Sequence, residues 1–306
     1  MVHVSSTRTQ LDVDGHVLSV SNLDKVLYAD GTTKHDVITH YVEVADVLLP
    51  LLAGRPATRK RWPNGTGASS FFEKNVPRGT PDWIRTVTLD SPGSTRDRER
   101  ITYPVLEGLA DLVWVANLAA LELHVPQWRV GARGAVRAPD RLVVDLDPGE
   151  GAGLPQCAEV ACTVRELLAA DGFEAVPVTS GSKGLQLYAP VAGTQEAGLV
   201  RAYAHTLAER AAARLPALVV TRMTKAIRGG KVLIDWSQNT AAKTTITPWS
   251  LRGREAGTLA CPRTWDEVED GGALRQVHHR DVADRLASYG DLTAPLLVRG
   301  PRLPLR

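Results

Sequence analysis

Two aspartates one residue apart end a short apolar run in RLVVDLDPGEG, residues 141–151. Leu142–Val144 predicts a buried strand, and alternate residues of a strand share a face, so Asp145 and Asp147 point the same way. Two carboxylates this close repel each other, which raises the pKa of each. Pro148 then ends the strand. The pair indicates either a site at an element edge or a solvated strand end, and the motif alone does not decide between them.

A third acid, Asp235, ends another apolar run, KVLIDWSQN (231–239). If it joins Asp145 and Asp147, the three carboxylates form a cluster of the kind that holds hard divalent ions. Two such ions suit an in-line displacement at phosphorus, because one lowers the pKa of the attacking hydroxyl and the other steadies the leaving oxygen. Taken singly, Asp235 is also typical of an ordinary strand end.

A second candidate for chemistry is TSGSKGLQLY, residues 179–188. Its Ser180, two glycines and Lys183 lie between two apolar runs and predict a tight turn whose backbone N–H groups and ammonium face an anion. It is not a P-loop, because the spacing G-x-x-x-x-G-K-[ST] occurs nowhere in the chain. The alternative is a simple hairpin turn.

His124 lies in LELHVPQW (121–128), where alternation predicts a strand with Glu122 and His124 on one face. A single histidine in such a place is either catalytic or a hydrogen-bonded core residue. The residues alone leave both open.

Phe71 and Phe72 follow the basic stretch TRKRW (58–62). Adjacent aromatics in a strand are expected to place one ring in the core and one outward. An outward ring beside Lys60 and Arg61 could stack a nucleobase, and ordinary surface packing is the alternative.

These residues need a scaffold of short strands and longer helices. The mixture of hairpins and amphipathic helices predicts an α+β fold with a mixed sheet. A connector rich in Pro, Gly and Arg is expected at 77–100, and an extended or frayed tail at the C-terminus. Strands are predicted at 16–22, 57–63, 69–74, 121–128, 142–147, 174–180, 185–191, 217–223 and 231–237, and helices at 32–54, 105–120, 155–172 and 197–214.

Composition narrows the class of protein. The 306 residues are 43% hydrophobic with a net charge of +2, which is typical of a globular chain with a sizeable core. No apolar run approaches a membrane span, and MVHVSSTRTQ (1–10) lacks the layout of a secretory signal. The three cysteines form no C-x-x-C pair, so they predict neither a disulfide framework nor a four-ligand zinc site. This is typical of a protein in the reducing cytoplasm. Basic clusters at 58–62 and 222–254 favour a polyanionic partner.

Eight stretches, taken together and in order, resemble one known family. They are DKVLY (24–28), AGRPATRKRWPNG (53–65), FFEK (71–74), ALELHVPQWR (120–129), DLDPGEG (145–151), VTSGSKGL (178–185), MTKAIRGGKVLIDWSQN (223–239) and KTTITPWSLRGR (243–254). The family is the polymerase domain of bacterial ATP-dependent ligase D, in the archaeo-eukaryotic primase superfamily. The resemblance covers roughly residues 20–270, and it is specific because so many matches keep the family's order.

The resemblance implies an archaeo-eukaryotic primase-like fold, with mixed and antiparallel sheets flanked by helices. It implies one catalytic module at 1–290 and a tail at 291–306. Two Mn²⁺ ions, or Mg²⁺, would bind Asp145, Asp147 and Asp235. Nucleoside triphosphates would contact a larger set: Phe71, Phe72, Lys60, His124, Ser180, Lys183, Arg228, Gln238 and Arg252. Lys25 and Lys34 would hold the 5′-phosphate of a gapped or broken duplex.

The implied activity is template-directed nucleotidyl transfer that fills short gaps during non-homologous end joining, with a preference for ribonucleotides. Ku and a DNA ligase are the implied partners, no membrane is involved, and the bacterial nucleoid in the cytoplasm is the implied location. We expect no ligase or nuclease domain in this chain, because it stops near residue 306. No K-x-D-G motif for lysyl adenylation is present, so we do not expect the chain itself to seal nicks.

One residue departs from the family pattern: Gln186 occupies a position where the family usually has His. Gln keeps a donor but carries no charge, so a contact with phosphate would lose charge assistance. Three alternatives remain at this point. They are a phosphatase that uses D-x-D as nucleophile and acid, a DNA-end binding module without turnover, and a primase that starts strands unaided.

Overall fold

The structure, a computed structural model, describes residues 8–91 and 99–304. Its strands are β1 (Arg8–Val13), β2 (His16–Ser21), β3 (Thr58–Arg61), β4 (Phe71–Glu73), β5 (Thr86–Asp90), β6 (Arg100–Pro104), β7 (Ala120–Val125), β8 (Arg141–Pro148), β9 (Val176–Thr179), β10 (Leu185–Pro190), β11 (Val219–Val220), β12 (Val232–Ile234), β13 (Thr245–Ile246), β14 (Thr258–Leu259), β15 (Cys261–Pro262) and β16 (Val277–His278). Its α-helices are α1 (Lys34–Glu43), α2 (Ala45–Leu52), α3 (Leu109–Asn117), α4 (Leu154–Ala170), α5 (Ala197–Arg214), α6 (Trp265–Glu269) and α7 (Val282–Tyr289).

The main sheet has six strands in the order β11-β12-β8-β10-β9-β15. β11 and β12 are parallel, and the other neighbours are antiparallel. Alternation along β8 sends Leu142, Val144 and Leu146 into one apolar core, which they share with α4 and α5. Helices therefore cover one face of this sheet.

A second sheet of four strands, β13-β7-β3-β4, belongs to a larger apolar core with α1, α2 and α3. Val143 of β8 and Tyr188 of β10 belong to this core as well. β8 and β10 thus lie between two cores, and their alternate residues face different partners. The expected α+β fold with mixed sheets is confirmed.

Several predicted elements are confirmed with their pairings. β3 pairs with β4, β9 pairs with β10 around the 180–184 turn, and α5 covers 197–214 as predicted. Thr33 and Asp36 form the capping box that begins α1, because each side chain accepts a backbone N–H of the other residue.

Two predictions about the N-terminal half are wrong. The single helix expected up to Gly54 is two helices, because Val44 leaves helical geometry at φ −95° and ψ 4°. The predicted connector at 77–100 contains β5, which pairs with β6 along its whole length. Val87 and Leu89 alternate in β5, but the surrounding Pro, Gly and Arg residues obscure this pattern. Residues 92–98 of that connector lie outside the described part of the chain.

The C-terminal tail is not frayed within the described residues. Leu303 is 3% exposed and belongs to the core of α4 and α5. The Gln195 side chain bonds both the N–H and the C=O of Leu303, and Ala192 donates to the carbonyl of Pro301. An amide side chain thus satisfies an extended segment that has no strand partner.

Residues 305–306 of the tail, and most of the N-terminal stretch at 1–10, lie outside the described residues. Within the described ranges, no helix has both the length and the apolar content needed to cross a membrane.

Candidate active site

The acidic pair lies at the end of β8. Because Leu142 and Leu146 face α4 and α5, the alternate residues Asp145 and Asp147 face the second sheet. Asp145 is 9% exposed, whereas half of the Asp147 side chain is accessible. β12 runs antiparallel beside β8, and the N–H of Asp235 donates to the carbonyl of Asp145 at 2.8 Å. Sheet register therefore brings all three predicted acids to adjacent strand ends.

The acids disturb one another. Burial raises the pKa of Asp145, and the charges of Asp147 and Asp235 raise it further, while a hydrogen bond from Gln186 opposes them. Burial also raises the pKa of Asp147, and Arg228 partly offsets this effect. A carboxylate cluster of this kind holds unfavourable charge that a bound cation would relieve.

Asp235 is engaged on its other side. Its carboxylate accepts from the backbone N–H of Ser237 at 3.0 Å and from the Gln238 amide at 3.0 Å. Lys243 Nζ lies 3.6 Å from Oδ2. Across the described chain, no group of three His, Cys, Asp or Glu side chains is already placed to hold a metal ion. The hard oxygen donors and their mutual repulsion fit a divalent ion, and an ion shared with Asp235 would compete with the contacts that Asp235 makes to Ser237, Gln238 and Lys243.

Gln186 lies opposite Asp145 in the β8–β10 register. Its Nε2 donates to Asp145 Oδ1 at 2.9 Å, and its Oε1 accepts from the Tyr188 hydroxyl at 2.8 Å. Gln186 thus places a neutral amide, hydrogen-bonded at both its nitrogen and its oxygen, against one predicted metal ligand.

The 180–184 turn is organised from within. Ser180 is buried, and its hydroxyl accepts from the N–H groups of Ser182 at 3.3 Å and Gly184 at 3.2 Å. Lys183 is exposed and lines a cleft of about 640 Å³ together with the 148–153 loop. Gly181 has φ +69°, and a Cβ there would lie 2.5 Å from Arg252. Glycine therefore lets the turn approach Arg252 closely.

The basic loop at 225–231 packs against the turn that follows the acids. Arg228 NH2 lies 3.9 Å from Asp147 Oδ2, and the N–H of Gly149 donates to the carbonyl of Lys231 at 2.8 Å. The predicted nucleotide contacts Arg228 and Gln238 therefore both reach an acid of the cluster.

Phe71 and Phe72 are both exposed to solvent, one on each face of β4. The two residues are 39% and 52% exposed, so the expectation that one ring enters the core is wrong. β4 is the edge strand of its sheet, so no further strand pairs with its outer edge, and its adjacent residues Phe71 and Phe72 point to opposite faces. Lys60 Nζ lies 5.3 Å from the ring centre of Phe72, and the Arg61 guanidinium lies 5.4 Å from that of Phe71. Exposed rings beside cations suit base stacking.

His124 belongs to a buried network. Its ring meets Phe72 edge-on at 5.5 Å, and its Nε2 lies 2.7 Å from Glu122 Oε2. The same carboxylate oxygen accepts from Arg252 NH1 at 3.2 Å, and Oε1 accepts from the N–H of Gly253 at 3.1 Å. Glu122 joins two predicted nucleotide contacts; its strand alternation with His124 was visible in the sequence, but its pairing with Arg252 was not.

Lys25 and Lys34 also come together. The N–H of Lys34 donates to the carbonyl of Lys25 at 2.9 Å. Lys34 is largely buried, and its ammonium donates to the carbonyl of Ser21 at 2.7 Å. Burial lowers the pKa of Lys34, and Lys25 and Arg61 lower it further. The positive charge of Arg61 therefore also acts on Lys34, which the sequence did not reveal.

Acids at adjacent strand ends of a mixed sheet, with cationic side chains and exposed aromatic rings on neighbouring elements, are the arrangement expected of a polymerase of the primase type. Comparison with known proteins gives the family. Residues 33–293 match the family described as "LigD, primase-polymerase domain", and the chain belongs to it. This membership excludes the interpretation of D-x-D as a phosphatase motif.

The relatives are bacterial. The chain is 48% identical over 290 residues to "Multifunctional non-homologous end joining DNA repair protein LigD" of Mycobacterium tuberculosis (strain H37Rv), covering 93% of this chain and 37% of that protein. It is 34% identical to "Bifunctional non-homologous end joining protein LigD" of Bacillus subtilis (strain 168), covering 89% and 43%. The chain thus spans less than half the length of these relatives.

A solved structure agrees with the fold. The "Polymerase Domain from Mycobacterium tuberculosis Ligase D in complex with DNA" superposes with a TM-score of 0.87 at 47% identity, covering 93% of this chain and 99% of that one. The primase-like fold inferred from the sequence is confirmed.

Proposed function

We propose that this chain catalyses template-directed nucleotidyl transfer, in which a primer 3′-hydroxyl attacks the α-phosphorus of a nucleoside triphosphate and pyrophosphate leaves. The observation that carries the proposal is the meeting of Asp145, Asp147 and Asp235 at adjacent strand ends. Two divalent ions bound there, Mn²⁺ or Mg²⁺, would activate the attacking hydroxyl and offset charge on the leaving oxygen.

Different side chains around the acids would contact different parts of the nucleotide. Phe71 and Phe72 offer a stacking surface for a base, with Lys60 at its edge. The triphosphate would meet the cationic side, where preorganised charge supplies most of the catalysis in phosphoryl transfer. That side comprises Lys183, Arg228 and Arg252, with His124, the Ser180 turn and Gln238.

The physiological task that this chemistry serves is short gap filling at broken DNA, with ribonucleotides preferred over deoxyribonucleotides. The basic pocket of Lys25 and Lys34 would anchor the 5′-phosphate across the gap, which is a sequence-independent contact. The relatives' names support a role in non-homologous end joining, with Ku and a DNA ligase as partners. Such a role implies that the protein acts at the bacterial nucleoid. Residues 1–290 would form the catalytic module.

The decisive experiment is primer extension on a gapped duplex with Mn²⁺, comparing ribonucleotides with deoxyribonucleotides. We expect Asp147→Ala to lower extension by about a thousandfold or more, because one of the carboxylates proposed to hold the divalent ions is lost. DNA binding should persist, because the basic surfaces are unchanged. The control is Asp82→Ala at an exposed aspartate.

Wild-type extension rates in Asp147→Ala would overturn the role of the acids. A wild-type protein that binds the gapped duplex but never extends the primer would favour the alternative of a DNA-end binding module. Extension from single strands without any primer would instead identify a primase.

A further inference from the structure

Glu122 is the one buried acid of β7 that contacts two candidate nucleotide-binding residues at once. Its residue exposure is 2%, and both of its carboxylate oxygens accept hydrogen bonds. Oε2 receives His124 and Arg252, and Oε1 receives the backbone N–H of Gly253. His124 is two residues away in the same strand, whereas Arg252 is 130 residues away. The carboxylate therefore ties β7 to the 251–253 segment.

The burial of Glu122 excludes direct contact with a substrate. Burial alone would raise its pKa, but His124, Arg252 and Lys60 lower the pKa to about 2, so the group is a permanent anion. A charge-assisted bond fixes a guanidinium more firmly than a neutral one does. Its partners keep some access to solvent, since the side chains of His124 and Arg252 are 10% and 18% exposed.

The backbone around Arg252 is held in the same way. A Cβ at Gly253 would lie 2.1 Å from the Trp62 ring, so the segment packs tightly against an aromatic that is itself buried. The bond from Gly253 to Glu122 Oε1 fixes this approach. Arg252 is therefore positioned at its backbone and at its guanidinium by one carboxylate.

We propose that Glu122 is a positioning residue for nucleotide binding: it orients the Arg252 guanidinium for the triphosphate and fixes the tautomer and direction of the His124 imidazole, an inference that rests on the proposed function. Because Glu122 accepts a hydrogen bond from Nε2, a neutral His124 imidazole presents Nδ1 as a hydrogen-bond acceptor, which suits a hydroxyl or amino group of the nucleotide rather than its phosphates. The same bond leaves the remaining N–H groups of Arg252 to define the direction in which an anion is bound.

Charge and orientation make opposite predictions for Glu122→Gln, which lets an experiment separate them. The substitution removes one negative charge beside a triphosphate site, so a simple counter-charge role predicts tighter binding of the nucleotide. A positioning role predicts weaker binding, because the new amide N–H₂ faces groups that are themselves donors.

The test is steady-state primer extension with varied nucleoside triphosphate on the full chain. We expect Glu122→Gln to raise KM for the triphosphate about tenfold or more, with a smaller change in kcat. Glu122→Asp keeps the charge and should recover part of the loss. In an Arg252→Ala background the added effect of Glu122→Gln should be smaller than in the wild type, because one oriented partner is already absent.

The matched control is Glu267→Gln on α6, where a carboxylate also lies between two guanidiniums, those of Arg263 and Arg285. It should lower the melting temperature without changing KM. An unchanged or lowered KM in a folded Glu122→Gln protein would overturn the inference, as would full additivity with Arg252→Ala. If Glu122→Gln does not fold, Glu122→Asp carries the same test, and a wild-type KM there would also overturn it. Failure of the wild-type protein to extend any primer would instead refute the proposed function itself.

Discussion

At the scale of single residues, the burial of Lys34 affects how the basic pocket of Lys25 and Lys34 can bind a phosphate. The Lys34 ammonium donates to Ser21 and to Asn117 within the fold, and Lys25 donates to Asn64 at 3.4 Å. These bonds hold the two lysines in fixed directions before any DNA arrives. A preorganised pair recognises a phosphate dianion at a lower entropic cost than two mobile surface lysines would.

This pocket leads to a prediction about gap recognition. We expect Lys25→Ala with Lys34→Ala to abolish the preference for a 5′-phosphorylated gap over a hydroxyl-ended gap, because both anchors are lost. Competition binding between the two duplexes measures this ratio. Arg201→Ala with Arg214→Ala removes the same charge from α5 and should leave the ratio unchanged. An unaltered preference in the lysine variant would show that the phosphate binds elsewhere.

At the scale of elements, a glycine joins the acid-bearing strand to the basic loop. A Cβ on Gly149 would lie 1.8 Å from the carbonyl oxygen of Arg228, so only glycine allows the turn after β8 to meet this loop. The N–H of Gly149 and that of Gly230 complete the contact by donating to Lys231 and Glu150. The position of Arg228 beside Asp147 depends on this contact.

Although Gly149→Ala adds only one methyl group, we expect it to impair both stability and nucleotide binding. We expect a loss of about 1–3 kcal/mol in the free energy of unfolding, together with a rise in KM for the triphosphate as Arg228 is displaced. Urea titration and primer extension measure the two effects. Gly229→Ala is the control, because nothing lies within 4 Å of a Cβ there. Equal behaviour of the two variants would contradict the packing argument.

At the scale of the whole molecule, the main sheet lies between two apolar cores, and a charged cluster joins them at the start of β8. Asp140 accepts from Arg55 at 2.6 Å and from Arg129 at 2.7 Å, next to the buried Arg141. The side chain of Arg55 is 1% exposed, so Asp140 compensates a positive charge that water does not reach. Removing the acid leaves guanidiniums buried without an anion, which is strongly destabilising.

We expect Asp140→Asn to lower the free energy of unfolding by about 3 kcal/mol near neutral pH. Burial tends to raise the pKa of Asp140, but Arg55, Arg141 and Arg129 outweigh it and hold the pKa below its ordinary 3.8. The stabilisation is therefore present above pH 3.8 and is lost as the pH falls through the lowered folded value. The difference between wild type and variant should stay constant at higher pH and shrink in acid.

Urea unfolding across this pH range measures the difference. Asp90→Asn, in an exposed pair with Arg100, should change stability by less than about 0.5 kcal/mol. A gap between wild type and Asp140→Asn that persists unchanged below the ordinary carboxyl pKa would show that charge is not the cause.

The sequence by itself determined which residues share a face of a strand and which family the chain resembles. Period-two alternation placed Asp145 with Asp147 and Glu122 with His124, and ordered motifs assigned the primase-polymerase class, which the comparisons confirm. Local patterns suffice here because side-chain direction within a strand follows from the backbone alone.

Only the tertiary structure decided which of these residues meet. Four features depend on register and packing between elements. They are the bond from Arg252 to Glu122, the hydrogen bond from Gln238 to Asp235, the exposure of Phe71 and Phe72, and the burial of Lys34. Periodicity assigns a residue to a face, but it does not specify the distance or orientation of a partner on another element. The distance and orientation of such a partner are set by the packing of the two apolar cores against the main sheet.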